Sequence, residues 1–581
     1  MTMQSLPIEV VDRIVWFLPG GPDGELPLQP GRRPQIAPYA AISTRFLEAV
    51  QRRVWRRLQI TNEDLDDCAR YLRGRRLVHL QQLYFTIILP PIDQQPRRTP
   101  PPFERAADTE AVSQAFGLQV RRFFDMLDSE PWREKAATSL QLGFHDVTHR
   151  SARKRRGPFL DIAHLFTNAG QEDLNRFGID WYRQLRARLT LPQSNELPML
   201  HSVHRLSFQI WERRPEAGVQ VEIASRMPGL VSLDLAVDGT ELRYPGVLRK
   251  DRHSLADALT RYSEQTKDVA HATLHFCMQE GDLPNLDEYT IAMPNHVYPL
   301  AYDALSASLR VWSQRLTSFS VSGVFDEALF WPQAGEGEDA ATAALPEWHN
   351  LQTLDVQLEL CTPSGGWYFL DKDDAGSSDS GKPPRDPASD PENMPPVFAD
   401  DDDDKDGPAA GDGDEDDDGG ADLFGRRTPR APEFYYKVPN PTEGNEGTFA
   451  PLKIRNVPNR ATMEQLLAAW ARALARMPSL RSARLNFRIH VPYNDIGETD
   501  PREWDVVYEA PGHRHPKGEA RVCGSQMTPA ERAERRLIFV CAGGWRPGRE
   551  TMDLLRAVGA DSWPGTPMVV LAVSERMEIV R

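Results

Sequence analysis

The feature that most restricts this chain is a short apolar spacing that recurs along it. Apolar residues stand at i, i+3, i+5 and i+7 in "LQQLYFTI" from Leu80, "VHRLSFQI" from Val203, "LVSLDLAV" from Leu230 and "LQTLDVQL" from Leu351. Partial copies are "SLQLGF" from Ser139, "ATLHFCM" from Ala272, "RLTSFSV" from Arg315 and "SARLNFRI" from Ser482. After the first apolar residue the period is two, which sends alternate side chains to one face of a strand. Amphipathic helical patterns lie between these segments, among them "FGLQVRRFFDMLDS" from Phe116, "LADALTRYSEQT" from Leu255, "AYDALSASLRVWSQRL" from Ala301 and "TMEQLLAAWARALARMP" from Thr462. Strand and helix in alternation call for parallel strands joined by helical crossovers, so the class is α/β.

The spacing LxxLxL is that of a leucine-rich-repeat strand, and stacked α/β units of this kind make a solenoid. The repeat is irregular. Equivalent positions are 27 residues apart from Leu206 to Leu233, 41 from Leu233 to Leu274 and 80 from Leu274 to Leu354. Near the C-terminus "RRLIFVCAGG" from Arg535 and "MVVLAV" from Met568 are continuous apolar runs, as strands buried on both faces require. The amphipathic "ETMDLLRAVGA" between them completes a βαβ pattern, which returns this block to the same sheet.

The net charge of −16 is concentrated in one place. Residues 371–422 carry 20 of the 84 acidic residues and 4 of the 68 basic ones, leaving 64 of each sign elsewhere. This stretch is rich in Asp, Gly, Pro and Ser and nearly free of large apolar residues, so burial cannot offset its ordering entropy and a disordered acidic insert is expected. Asp402, Asp404, Asp406 and Gly407 copy the start of an EF-hand loop, but Gly413 stands where the bidentate Glu is required. The resulting division is a small helical domain over 1–60, an irregular α/β repeat region over 61–370, the acidic insert over 371–432 and a continuation of the α/β region over 433–581.

The N-terminal helix is more apolar than its surroundings explain. At ~100° per residue, Ile8, Val10, Val11, Ile14, Val15, Phe17 and Leu18 fill an arc of about 180°, where a surface helix needs about 100° to cover its own core. Pro7 suits a first helical turn and Glu9 complements the positive end of the dipole, while "PGGP" from Pro19 stops the helix. In "APYAAISTRFLEAVQRRVWRRLQI", Ile42, Phe46, Val50, Val54 and Leu58 recur at helical spacing beside Trp55. A helical unit of this size is marginal alone, and a partner would relieve that.

Leu6-Pro7-x-Glu9-Val10-x-x-Arg13-Ile14-x-x-Phe17-Leu18, followed by Ile42-Ser43-x-Arg45-Phe46, Val50 and Trp55-x-x-Leu58, resembles the F-box. The resemblance implies docking onto the Skp-family adaptor of a cullin-RING ubiquitin ligase through Leu6, Pro7, Ile8, Val10, Ile14, Leu18, Ile42, Phe46, Val50 and Trp55. Residues 19–41 are longer than the usual connection at that point and are where the chain departs from the family. The rest of the chain is similar to the irregular leucine-rich-like C-terminal regions of fungal F-box proteins. The function implied is that of a substrate receptor, its repeat region binding a target protein. The alternative is a repeat scaffold whose N-terminal helices only cap the solenoid.

Catalytic signatures are absent from the sequence, and the expectation is a protein that is not an enzyme and uses no cofactor or metal. There is no GxSxG, no GxxxxGK[ST] and no GxGxxG after a strand. His145 and His149, and His271 and His275, have i, i+4 spacing but lack a neighbouring Glu or third ligand. The five cysteines are scattered with no CxxC pair, which fits a reducing compartment, cytoplasmic or nuclear. The first helix is interrupted by Glu9, Asp12 and Arg13 and lacks the flanks of a secretory signal, and no run approaches the roughly 18 apolar residues of a membrane span. "HRSARKRRGP" from His149 reads as a solvated basic loop, so a nucleic-acid partner is not expected. Trp211, Trp331, Trp367 and Trp545 sit at the ends of expected elements and are the candidate anchors for a target.

Overall fold

The computed structural model describes residues 6–17, 37–89, 106–133, 140–148, 188–208, 214–238, 245–277, 295–333, 336, 345–371, 455–492, 499–514, 528–540, 545–573 and 579–580. The acidic insert after Asp371, the loop 19–36, the basic stretch 149–158 and the EF-hand-like window lie outside these residues.

The protein is mixed α/β, with twelve α-helices and a large, mostly parallel sheet among the described residues. The strands are β1 (Arg57–Thr61), β2 (Gln82–Leu89), β3 (Leu140–Thr148), β4 (Val203–Phe208), β5 (Ser232–Asp238), β6 (His271–Cys277), β7 (Ser318–Gly323), β8 (Thr353–Leu358), β9 (Phe369–Asp371), β10 (Arg455–Pro458), β11 (Ser482–Pro492), β12 (Thr499–Glu509), β13 (Arg535–Val540), β14 (Met568–Val573) and β15 (Ile579–Val580). Strand order in space follows the chain from β1 to β8 and then from β11 to β15, while β9 and β10 form a separate two-stranded pair. All neighbours from β1 to β8, and β8 with β11, are parallel.

The helices are α1 (Ile8–Phe17), α2 (Thr44–Arg56), α3 (Leu65–Tyr71), α4 (Arg75–His79), α5 (Ala106–Leu127), α6 (Glu130–Arg133), α7 (Ala217–Ala224), α8 (Pro245–Tyr262), α9 (Ala304–Ser313), α10 (Arg460–Leu474), α11 (Pro529–Arg532) and α12 (Arg549–Ala557). Asp303 caps α9 by accepting from the Ser306 amide, and Asn459 caps α10 by accepting from the Ala461 amide, so both start where a short polar side chain can satisfy an orphan N–H. The Leu58 of the expected second helix instead lies in β1, because α2 ends at Arg56 and the chain turns directly into the strand.

The apolar spacing builds a ladder. Leu58, Leu83, Leu142, Leu206, Leu233, Ala272, Phe319, Leu354 and Ala483 stand side by side on nine consecutive strands. The spacing alone aligns Leu274 with Leu233, but the backbone pairs Leu233 with Ala272 and Leu235 with Leu274. A shift of two residues keeps every side chain on its face, so the periodicity could not distinguish the two registers. One hydrophobic core unites this face with the helices, for example where the Phe85 and Phe123 rings of β2 and α5 stack with centroids 4.1 Å apart.

The C-terminal part departs from uniform parallel pairing. β12 is antiparallel to both β11 and β13, and β15 is antiparallel to β14, whereas β13 and β14 are parallel across α12. β13 is buried on both faces as its apolar run requires, but β14 is fully buried only at Leu571 and Val573. Trp504 of β12 joins Phe369 and Phe487 in an edge-to-face aromatic cluster, with centroids 5.7 Å from each. No described helix is long and apolar enough to cross a membrane.

Candidate interaction surfaces

The N-terminal helices have a core of their own. Val11 and Val15 of α1 meet Phe46, Ala49 and Val50 of α2 in a cluster separate from the main core. Ser43 caps α2 by accepting from the Phe46 amide, and the Arg52 guanidinium reaches Asp12 at 2.6 Å. Arg53 donates to the Val15 carbonyl and Arg45 to the Leu6 carbonyl, tying both ends of α1 to α2. This filled interior takes up Val11 and Val15 of the apolar arc on α1.

Val10 and Ile14 of the same arc face outward. Val10 is 40% exposed, Ile14 38% and Ile42 40%, with Pro7 exposed and Leu6 and Ile8 half-buried beside them. Phe46 and Val50, expected in the adaptor contact, are core residues of the unit and offer no surface. Trp55 is half-buried, packs on the main core and lies under the Arg76 guanidinium, 5.2 Å from its ring centroid. Leu18 lies outside the described residues.

A second surface is the face of the sheet opposite the helices. Ser207, Asp234, Thr273, Ser320 and Asp355 form one row across β4 to β8. A neighbouring row runs through Ala236, His275, Ser322 and Gln357. These side chains are half-buried or, at His275, exposed. Five strands at ~4.8 Å spacing make this open band roughly 19 Å wide. His275 Nδ1 lies 2.9 Å from Ser322 Oγ, and Arg205 pairs with Asp234 at 3.3 Å.

From β11 onward the same face is closed. Arg484 Nε donates to Asp505 at 2.8 Å, Asn486 donates to the same carboxylate at 2.7 Å, and Arg536 pairs with Glu509 at 3.0 Å. Burial pushes the Asp505 carboxyl up to about 6, against the opposing pull of Arg484 and Asn486. Beyond it Val507, Ile538, Val540, Leu571 and Val573 form a second apolar cluster. The accessible polar band therefore ends near β8.

Deeper polar groups cluster at the ends of β6 to β8 without opening to the surface. Arg252 pairs with Asp303 at 2.5 Å and donates to the Val324 carbonyl at 2.9 Å, with both charged side chains almost wholly buried. Ser306 also donates to Asp303, and the Tyr368 hydroxyl donates to the Phe325 carbonyl at 3.0 Å. Burial, reinforced by Asp303, holds the Asp326 carboxyl well above its usual range. Desolvation, with Arg252 and Arg249 nearby, lowers His296 to about 3. Such a cluster joins α8, α9 and the strand ends; most of its donors meet internal acceptors, while Arg252 Nε and His296 Nδ1 are buried without one.

The sequence-level candidates for chemistry do not converge. His271 and His275 are both on β6, where four residues span roughly 13 Å, too far for one ion. His145 is on β3, and His149 lies outside the described residues. Among the described residues no group of three or more His, Cys, Asp or Glu is placed to hold a metal. Cys68 and Cys361 are buried, and burial pushes both thiols up to about 12, which keeps them protonated at neutral pH. Trp331, Trp367 and Trp545 are half-buried and pack on the main core, so each presents only part of its ring, while Trp211 lies outside the described residues. The leucine spacing does not single out the polar band, although the band's signal is the set of residues alternating with those leucines. No protein-family model matches the chain, and no curated protein matches it.

Proposed function

We propose that this protein is a non-catalytic receptor: an F-box-like N-terminal unit docks onto a Skp-family adaptor, and the sheet, an irregular leucine-rich-like solenoid, holds a target protein for ubiquitin transfer by other subunits. The observation that carries the reading is the strip of Pro7, Val10, Ile14 and Ile42, which stays exposed although the unit's interior is already filled by Val11, Val15, Phe46, Ala49 and Val50. Apolar side chains left over after a core is complete are what a docking helix retains. The target site in this reading is the polar band from β4 to β8, and geometry rather than chemistry is the contribution, by raising the local concentration of a target lysine.

The test is capture of purified adaptor by the full chain and by Val10→Asp/Ile14→Asp. Loss of capture with an unchanged melting temperature supports the reading. Equal capture by both proteins removes the ligase assignment.

A second reading, in which the helices only cap the sheet, is favoured by one feature. α2 passes into β1 without a linker, the Gln81 amide donates to the Arg56 carbonyl at 2.9 Å, and Arg56 Nε donates to Gln81 Oε1 at 2.8 Å. In that case Val10→Asp/Ile14→Asp leaves every partner in place, and removing residues 1–56 destabilises the sheet.

A further inference from the structure

The connection between α3 and α4 carries four arginines without ion pairs among the described residues, C-terminal to the four acidic residues Glu63, Asp64, Asp66 and Asp67 at the start of α3. Between Cys68 and Ile92 the sequence has no acidic residue, and Arg70, Arg73, Arg75 and Arg76 fall within seven positions. All four are exposed. Three of them contact carbonyls or rings: Arg73 donates to the Ala69 carbonyl at 3.2 Å, Arg76 to the Tyr71 carbonyl at 3.4 Å, and Arg70 lies 5.4 Å from the Tyr71 ring centroid. None of the four has a carboxylate partner among the described residues.

Single exposed arginines without an ion pair among the described residues occur elsewhere, at Arg13, Arg57, Arg472 and Arg481, but four together within seven positions occur at this turn, and several other surface arginines are paired. Arg121 pairs with Glu196 at 2.7 Å, Arg133 with Asp128 at 2.6 Å and Arg315 with Glu264 at 2.8 Å. Burial first, and then Arg52, lower the affinity of His79 for its proton; of the four arginines Arg75 alone adds to this, and Glu48 and Asp12 oppose it. Two apolar side chains sit in the same turn, Tyr71 at 50% exposure and Val78 at 61%. Leu72 and Leu77 anchor the turn in the main core, at 1% and 3% exposure, so the arginines are displayed from a fixed base. Gly74, at φ +56°, makes the reversal with open space around it.

We propose that the α3–α4 turn is a docking site for an acidic polypeptide segment that also carries an apolar side chain. Arginine forks match carboxylates geometrically, and several in one turn add a field that draws an anionic partner. A phosphate backbone has no use for the exposed Tyr71 and Val78, and the patch is one turn long rather than a track along a duplex, which favours a peptide over nucleic acid. The site stands apart from the Val10–Ile14 strip and does not depend on the nature of the partner there.

The test is fluorescence anisotropy on the full chain with a fluorescein-labelled Asp/Glu-rich peptide carrying a central Leu and Phe. The unlabelled peptide and a DNA duplex of similar charge serve as competitors. Arg73→Ala/Arg75→Ala/Arg76→Ala is expected to weaken peptide binding by roughly tenfold or more, and added salt to weaken the wild type steeply. The triple Lys variant retains charge and is expected to keep part of the affinity, and matching melting curves for all three proteins exclude a folding effect. Equal binding by wild type and the Ala variant overturns the proposal. So does stronger competition by the duplex than by the peptide. So does peptide binding seen only after residues 400–418 are deleted, since the occupant is then the chain's own acidic run.

Discussion

His296 is expected to couple the stability of the sheet and its helices to pH. Its side chain is 3% exposed, its Nδ1 has no hydrogen-bond partner, and its backbone N–H donates to the Pro363 carbonyl at 2.7 Å. Protonation would place a charge in a buried site beside Arg252 and Arg249, opposed by Asp303, so its pKa falls from 6.5 to about 3. The native state therefore keeps His296 neutral while the unfolded chain takes up a proton below its ordinary pKa. Stability from this group is complete above about pH 6.5 and is lost as the pH falls toward about 3, at ~1.4 kcal/mol per pH unit. Over that window the loss is about 5 kcal/mol, comparable to the whole stability of a small domain. Urea unfolding followed by tryptophan fluorescence from pH 7 to pH 4 reads this directly in wild type and in His296→Gln, which cannot titrate. The variant is expected to show a shallower dependence on pH, by about one proton's slope. Identical slopes in the two proteins would refute the assignment of a neutral, buried His296.

Three further outcomes follow from packing and charge. Gly559 has φ +69° and a Cβ there would lie 2.2 Å from the Tyr508 hydroxyl, so Gly559→Ala is expected to cost at least about 1–2 kcal/mol in denaturant unfolding. Arg484→Ala leaves Asp505 buried without its guanidinium partner, a loss of roughly 3–5 kcal/mol at neutral pH that shrinks in acid as the carboxyl protonates, readable as a melting temperature against pH. Leu233→Ala, in the middle of the leucine ladder and fully buried, is expected to destabilise by about 2–5 kcal/mol, whereas Val10→Ala on the exposed strip stays within about 0.5 kcal/mol in the same assay.

The amino-acid sequence by itself makes legible whatever repeats within a few residues. Leu230, Leu233, Leu235 and Val237 announce a strand because one face of a strand repeats every second residue, and all four are buried. The helix over Arg460–Leu474 is equally local, with its apolar stripe and its Asn459 cap adjacent in the chain. The excess apolar surface of α1 is likewise visible on a helical wheel. Which residues of it are spent internally is not, since that depends on Phe46 and Val50 arriving from α2.

The tertiary structure alone decides everything that joins distant residues. Periodicity leaves Leu233 free to pair with Ala272 or Leu274, because both lie on one face, and the neighbouring strands select Ala272. The reversed direction of β12 and the closing of the polar face by Arg484, Asp505 and Arg536 rest on contacts that no local pattern encodes. The charge cluster at Arg70 to Arg76 is written plainly in the sequence. That it stands exposed, with no ion pair to a carboxylate among the described residues, is a property of the fold, since most ion pairs are made or withheld by residues far apart in the chain and close in space.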